Sequence, residues 1–169
     1  MPNVVNVSLE GYQPKYREVL ESFVLSEEQT QFTALPIEKL QESMDEAQKV
    51  VILADQRPVG FFVLQEGEEV LNYTKNAKAL LLRAFSINFS EQRKGYAKMA
   101  MQVLPEFVSK HFSRADEVVL AVNEKNNAAQ QLYKKAGFLD QGKRRMGRNG
   151  RQLVLHLPIS QKREDERQR

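Results

Sequence analysis

The chain has 169 residues, enough for one domain with its own hydrophobic core and no covalent staples. Its charge is nearly balanced, 25 − 22 = +3, so bulk charge does not argue for nucleic acid or membrane as a partner. Cysteine is absent, which excludes disulfides, thiolate metal sites and a cysteine nucleophile, and fits a cytoplasmic location.

In chain order, "MPNVVNVSLEGYQ" has no basic region before a long apolar run, so no signal peptide is expected. Val4–Val7 reads as a short first strand. "PKYREVLESFV", from Pro14 to Val24, spaces Tyr16, Val19, Leu20, Phe23 and Val24 as one face of a helix. Pro36–Met44 continues helix-like from a proline start. Lys49–Ala54, "KVVILA", is a buried strand, "DQRPVG" its turn, and Val59–Gln65 the paired strand of a hairpin. Glu66–Lys78 is a polar, irregular connection.

Ala79–Asn88 is apolar on both faces, as a central strand is. Gly95–Phe112 has helical spacing, and Pro105 inside it should kink or break the helix. Glu117–Val122, "EVVLAV", is the next strand. Asn126–Lys135 is helical, with Gly137 as its stop. Phe138–Arg145 and Gln152–Leu157 form a closing hairpin around "GRNGR". The apolar segment Leu153–Ile159 fits either a homodimer contact or closure of the core. Residues 1–159 then form one α/β domain, and 160–169, "SQKREDERQR", a polar charged tail expected to be disordered. The two strand–helix–strand transitions favour a parallel pairing at mid-sheet. No segment reaches the ~18 apolar residues of a membrane span. With His111 and His156 the only histidines, no metal site is expected.

Two stretches carry chemistry. "EQRKGYAKMAM", Glu91 to Met101, sets Arg93, Lys94 and Lys98 around Gly95 and Ala97 where a helix begins. A helix start offers unpaired backbone N–H groups and a dipole that favours anions. A phosphate, and in particular a pyrophosphate, suits that combination. Read alone, the stretch is equally a solvated basic turn with glycine for geometry. Neither G-x-x-x-x-G-K-[ST] nor G-x-G-x-x-G occurs, so the common nucleotide loops do not explain it. The second stretch is "NNAAQQLYKKAGF". Asn126, Ala129 and Tyr133 share one helix face. The asparagine can serve an amide-bearing ligand and the tyrosine can donate a proton, or they are a cap and a core residue.

In that order the two stretches resemble the GNAT superfamily of N-acetyltransferases. Gln92-Arg93-Lys94-Gly95-Tyr96-Ala97 fits its Q/R-x-x-G-x-G/A signature at a strand-to-helix turn. Asn126, Ala129, Leu132, Tyr133, Gly137 and Phe138 fit N-x-x-A-x-x-L-Y followed by G-F. The likeness spans about two thirds of the chain.

The resemblance implies a mixed central sheet with helices on both faces, whose parallel strands Ala79–Asn88 and Glu117–Val122 splay at mid-sheet. It implies acetyl-coenzyme A as co-substrate. The backbone of Arg93 to Lys98 (Arg93, Lys94, Gly95, Tyr96, Ala97, Lys98) would hold the pyrophosphate, with Gln92 capping the turn or touching ligand. The strand edge at Phe85, Ser86 and Ile87 would pair with the pantetheine arm. Asn126 and Ala129 would face that arm, and Tyr133 would be the acid beside the sulfur. The implied reaction is direct attack of a small-molecule amine on the thioester.

The strand "LLLRAFSIN" holds no Asp or Glu, so deprotonation through water is expected rather than by a strand carboxylate. A polyamine acceptor is disfavoured for the same reason. The acceptor pocket is expected in the irregular parts, Gln29–Pro36 and around Asn72 and Tyr73. Acetylation of a protein or peptide amine, and a non-catalytic acyl-coenzyme A-binding regulatory module, are the alternatives. Nucleic acid and membrane are not expected partners.

Overall fold

The computed structural model describes residues 4–41 and 46–160. The tail expected to be disordered therefore lies, from residue 161 on, outside the described residues, as do residues 42–44 of the helix expected over Pro36–Met44. A seven-stranded sheet organises the chain. Its strands are β1 (Val7–Gly11), β2 (Ala47–Ala54), β3 (Arg57–Gln65), β4 (Ala79–Ile87), β5 (Glu117–Asn123), β6 (Leu139–Gly147) and β7 (Gly150–Pro158). They lie in the order β1-β2-β3-β4-β5-β7-β6. Only β4 and β5 pair in parallel; the other neighbours are antiparallel.

Helices cover both faces. On one lie α4 (Tyr96–His111) and α5 (Asn127–Lys135). Ala100, Met101, Leu104 and Val108 form the buried stripe of α4, packed on Leu80, Leu82, Val118 and Leu120. On the other face lie the short helices α1 (Arg17–Glu21) and α3 (Pro36–Leu40), with α2 (Glu27–Thr30) between them in the chain. There Tyr16, Leu20 and Phe23 pack on Val51, Leu53, Phe61 and Val63.

Several expectations change. The first strand is Val7–Gly11, not Val4–Val7, because β2 sets its register, from Val7 against Ala54 to Gly11 against Val50; Val4 is exposed. The helix expected over Pro14–Val24 is a 3-10 turn, Pro14–Tyr16, followed by the single-turn-length α1. Within the polar connection Glu68–Asn72 forms a further 3-10 turn. Pro105 does not break α4, which runs unbroken past it. The second strand–helix–strand passage gives no parallel pair, because β7 inserts between β5 and β6. Leu153, Leu155 and Leu157 of β7 belong to the core, so of the two uses foreseen for that strand it serves core closure.

Candidate active site

The parallel pair decides where a site can form. β4 and β5 share only the rungs Ala79–Glu117, Leu80–Val118 and Leu81–Val119, and then part. The cause lies in β4. Against β3, Val63 faces Arg83 and Phe61 faces Ser86, so three steps of β4 oppose two of β3. The extra residue is Ala84, with φ of 56°. A bulge of this kind bends its strand and sharpens the twist, and it swings Leu82–Ile87 away from β5. It also swaps the faces of the residues beyond it. Leu82, Phe85 and Ile87 join the α4 side, while Ala84 packs on the α1 side.

Between the parted strands lies a cleft of about 860 Å³, within the range of small-molecule sites. Its strand walls are Leu82–Ile87 and Leu120–Asn123. The backbone edges facing it have no strand partner, yet buried N–H and C=O groups need one. Asn88 N–H bonds to Val59 O on β3 at 2.9 Å. Successive N–H groups alternate sides along extended chain, so the N–H of Ile87 faces the opening.

At one end of the cleft the chain turns into α4. Arg93 and Gly95 both have left-handed backbone, φ 65° and 83°. A Cβ at Gly95 would meet only Met99 Cε, at 3.9 Å, so glycine is needed there for its conformation rather than for space. Gly95 gives the helix no side-chain cap, and the first four N–H groups of a helix have no partner within it. Left-handed turns of this kind make N–H groups converge on an anion. Gln92 ties the turn to the strand, its Nε2 donating to Ile87 O at 2.9 Å.

α5 supplies the opposite wall. Asn126 caps it, its Oδ1 accepting from Ala129 N–H at 3.2 Å. The helix ends in a motif specified by "AGF". Gly137 N–H bonds to Lys134 O at 3.1 Å and Phe138 N–H to Tyr133 O at 3.0 Å, with Gly137 at φ 107°. That ending stacks Phe138 edge-on against Tyr133, ring centres 5.5 Å apart. Phe85 of β4 meets the same ring edge-on at 6.2 Å. Tyr133 is thus fixed between two aromatic rings, buried, and lines the cleft. Burial pushes its hydroxyl well above the ordinary tyrosine range, so it stays a proton donor at neutral pH.

The foreseen residues divide as follows. Phe85, Ser86, Ile87, Gln92, Arg93, Ala97, Asn126, Ala129 and Tyr133 all line the cleft; Lys94, Gly95, Tyr96 and Lys98 do not. Tyr96 is buried in the core, which leaves only its backbone for a ligand. Lys94 leans toward Glu91 at 3.7 Å, and Glu91 pairs with Arg57 at 2.6 Å. Of the expected acceptor segments, Gln29, Gln31, Phe32 and Thr33 line the cleft. Asn72 and Tyr73 do not: Tyr73 packs beneath Arg145, 4.3 Å from its guanidinium. Glu28, Arg148, Asn149 and Gln152 line it as well and were not foreseen. They sit on α2, on the β6–β7 turn and on β7, and only the folded topology brings those segments together.

The family model described as acetyltransferase (GNAT) matches residues 14–138. A curated relative, the uncharacterized N-acetyltransferase YbbJ of Bacillus subtilis (strain 168), is 46% identical over 154 residues, covering 89% of this chain and 96% of that protein. Among solved structures, the aminoglycoside acetyltransferase AAC(6')-Ib in complex with coenzyme A and kanamycin superposes with a TM-score of 0.74 at 16% identity, covering 90% of this chain and 95% of that one. Spermidine N-acetyltransferase from Vibrio cholerae, in complex with CoA and spermine, superposes with a TM-score of 0.67 at 16% identity, covering 92% and 96%. At such identities the two structures establish the shared fold.

Proposed function

We propose how this chain, which belongs to the acetyltransferase (GNAT) family, uses its cleft: it transfers an acetyl group to the neutral amine of a small molecule by direct attack. The chain is an acetyl-coenzyme A-dependent N-acetyltransferase. Acetyl-coenzyme A brings an activated thioester; the new C–N bond forms as the C–S bond breaks, and coenzyme A leaves as the thiol.

The observation that carries the reading is the unpaired edge of β4 ending in the left-handed turn before α4. An amide-rich arm can complete the edge as an added strand does, and a pyrophosphate suits the turn. Arg93, Gly95, Ala97 and Lys98 would hold the phosphates through backbone N–H groups. Gln92 would hold the turn at a set distance from Ile87, and Asn126 with Ala129 would border the arm. The N–H of Ile87, facing the opening, is placed to donate to oxygen as negative charge develops on it. Tyr133, protonated because it is buried, gives its proton to the departing sulfur. No carboxylate stands on β4, so the amine proton leaves through water. We place the reaction in the cytoplasm, where a soluble acyl thioester is at hand.

Calorimetric titration with acetyl-coenzyme A, beside ATP and NAD, tests this. Saturable binding of acetyl-coenzyme A alone, followed by thiol release on adding an amine, is expected. A folded protein that takes up none of it overturns the reading.

A further inference from the structure

Beyond its bulge β4 presents different side chains to its two faces. Phe85 and Ile87 belong to the α4 side. Ser86, between them, stands opposite Phe61 of β3, which packs on the α1 side. Neighbours along a strand alternate and cross-strand partners share a face, so the Ser86 side chain projects toward the α1 side. We infer that Ser86 seats the attacking amine: its Oγ accepts a hydrogen bond from the acceptor's N–H and so directs the nitrogen lone pair at the thioester carbonyl. This rests on the acetyl-transfer reading and adds a residue to its acceptor side.

The hydroxyl is placed for a ligand. Ser86 lines the cleft and is only 4% exposed, and its Oγ has no hydrogen bond among the described residues. Buried polar groups are nearly always paired, and a hydroxyl left unpaired destabilises the fold. Alanine would keep the strand and shed that cost. Beyond the bulge β4 consists of Phe85, Ser86 and Ile87, so Ser86 is its one polar side chain there. Thr33 Oγ1 repeats the sign from across the cleft lining, buried and likewise without a hydrogen bond.

Position assigns Ser86 to the acceptor rather than the donor. Tyr133 and Phe85 belong to the α4 side, where Tyr133 is proposed to meet the sulfur. The amine must reach the carbonyl from the side the donor leaves open. Ser86 also precedes Ile87, whose N–H is proposed to receive the developing oxyanion, so its side chain begins one peptide unit from that donor. The roof on the α1 side is already tied down. Val24 N–H donates to Asn88 Oδ1 at 2.9 Å and Phe89 N–H to Val24 O at 2.9 Å, which fixes the roof to the end of β4. Asn149 Nδ2 donates to Gln31 O at 2.6 Å, which fixes it to the β6–β7 turn. Gln29, Phe32 and Thr33, around these ties, line the cleft. Ser86 positions the amine and does not keep its proton, because a hydroxyl is too weak a base. As C–N forms and C–S breaks, that proton passes to water while Tyr133 supplies the one the sulfur takes.

The test compares the full-length chain with Ser86→Ala, after acetyl-coenzyme A binding has been measured for each. Thiol release at saturating acetyl-coenzyme A is followed with hydroxylamine, the smallest amine probe, and with ethanolamine, phenethylamine, putrescine, spermidine, kanamycin and the protein amino acids. Ser86→Ala should raise the amine KM about tenfold, with acetyl-coenzyme A affinity within about twofold and the ligand-free chain no less stable to heat. An unchanged amine KM overturns the inference, since the hydroxyl then holds water only. So does weakened acetyl-coenzyme A binding at unchanged amine KM, which gives the hydroxyl to the donor. Activity and heat stability falling together assign it to the fold and overturn the inference too, as does a chain that binds acetyl-coenzyme A and acetylates none of the probes. Failure of the unaltered chain to bind acetyl-coenzyme A instead removes the acetyl-transfer reading, and the inference with it.

Discussion

The two ends of the β4–β5 pair are made from the same strands and have opposite fates. At the end near Ala79 and Glu117 the strands share three rungs. Leu81, Val119 and Val70 are buried together there. His156 Nδ1–H donates to Glu117 Oε1 at 2.7 Å, and Asn76 Nδ2 reaches Asp116 Oδ1 at 2.7 Å. Past Leu81 the bulge at Ala84 parts the strands, and the backbone loses its partners. The open end leaves the edge of β4 without a strand partner and the Ser86 hydroxyl without a hydrogen bond among the described residues. The half of the pair that the chain does not complete is the half proposed to bind the ligand.

The sharpest break of this comparison is Tyr133→Phe. A lost proton donor to sulfur should cost about 100-fold in kcat, with acetyl-coenzyme A affinity, read by calorimetry, retained. Because burial raises the Tyr133 hydroxyl above its ordinary value of 10.0, the folded state keeps that proton more tightly than the unfolded one. Its contribution to stability is therefore whole below pH 10 and erodes as pH rises above it. The kcat profile should accordingly show no limb from Tyr133 below pH 10.

Next in size, acetyl-coenzyme A at 100 times its Kd should raise stability by about 2.7 kcal/mol. Hydrogen exchange should slow more at Leu82–Ile87 than at Ala79–Leu81, which gains only the global increment; equal slowing at both ends would erase the distinction. Gly60→Ala should then cost about 2 kcal/mol in chemical denaturation. Its Cβ would stand 2.7 Å from Ile87 Cδ1, 2.8 Å from Ile52 Cδ1 and 2.9 Å from Ser86 O. The forced shift of β4 should also weaken donor binding a few-fold. Smallest, Glu117→Gln at the closed end should cost about 1 kcal/mol of stability and leave acetyl-coenzyme A affinity as it was.

Local chemistry made much of this legible. Apolar runs marked β2, β4 and β5 because interior strands bury both faces. "RKGYAK" and "NNAAQQLYKKAGF" marked a turn and a capped helix because caps and left-handed residues are written in neighbouring positions. The structure adds the physical reason for "AGF", whose turn stacks Phe138 on Tyr133. Other features were not local. The bulge sits on an alanine, which carries no signal for left-handed backbone. β1 took its register from β2. Arg148 lines the cleft on a turn whose Asn149 is strapped to Gln31, 118 positions before Asn149 in the chain.

The interior place of β7 has a consequence for biosynthesis. During translation β5 and β6 are made before the strand that separates them, and β5 keeps a bare edge until Gly150–Pro158 leaves the ribosome. Seven rungs then form at once along the wall of the cleft. The nascent chain can assemble β1 to β4 early, as earlier segments of a chain tend to. A product truncated before Gly150 would display two unfilled strand edges, β5 and β6, and such edges recruit one another between chains. Completion of the sheet, and with it the proposed acetyl-transfer cleft, is thereby tied to the synthesis of Gly150–Pro158.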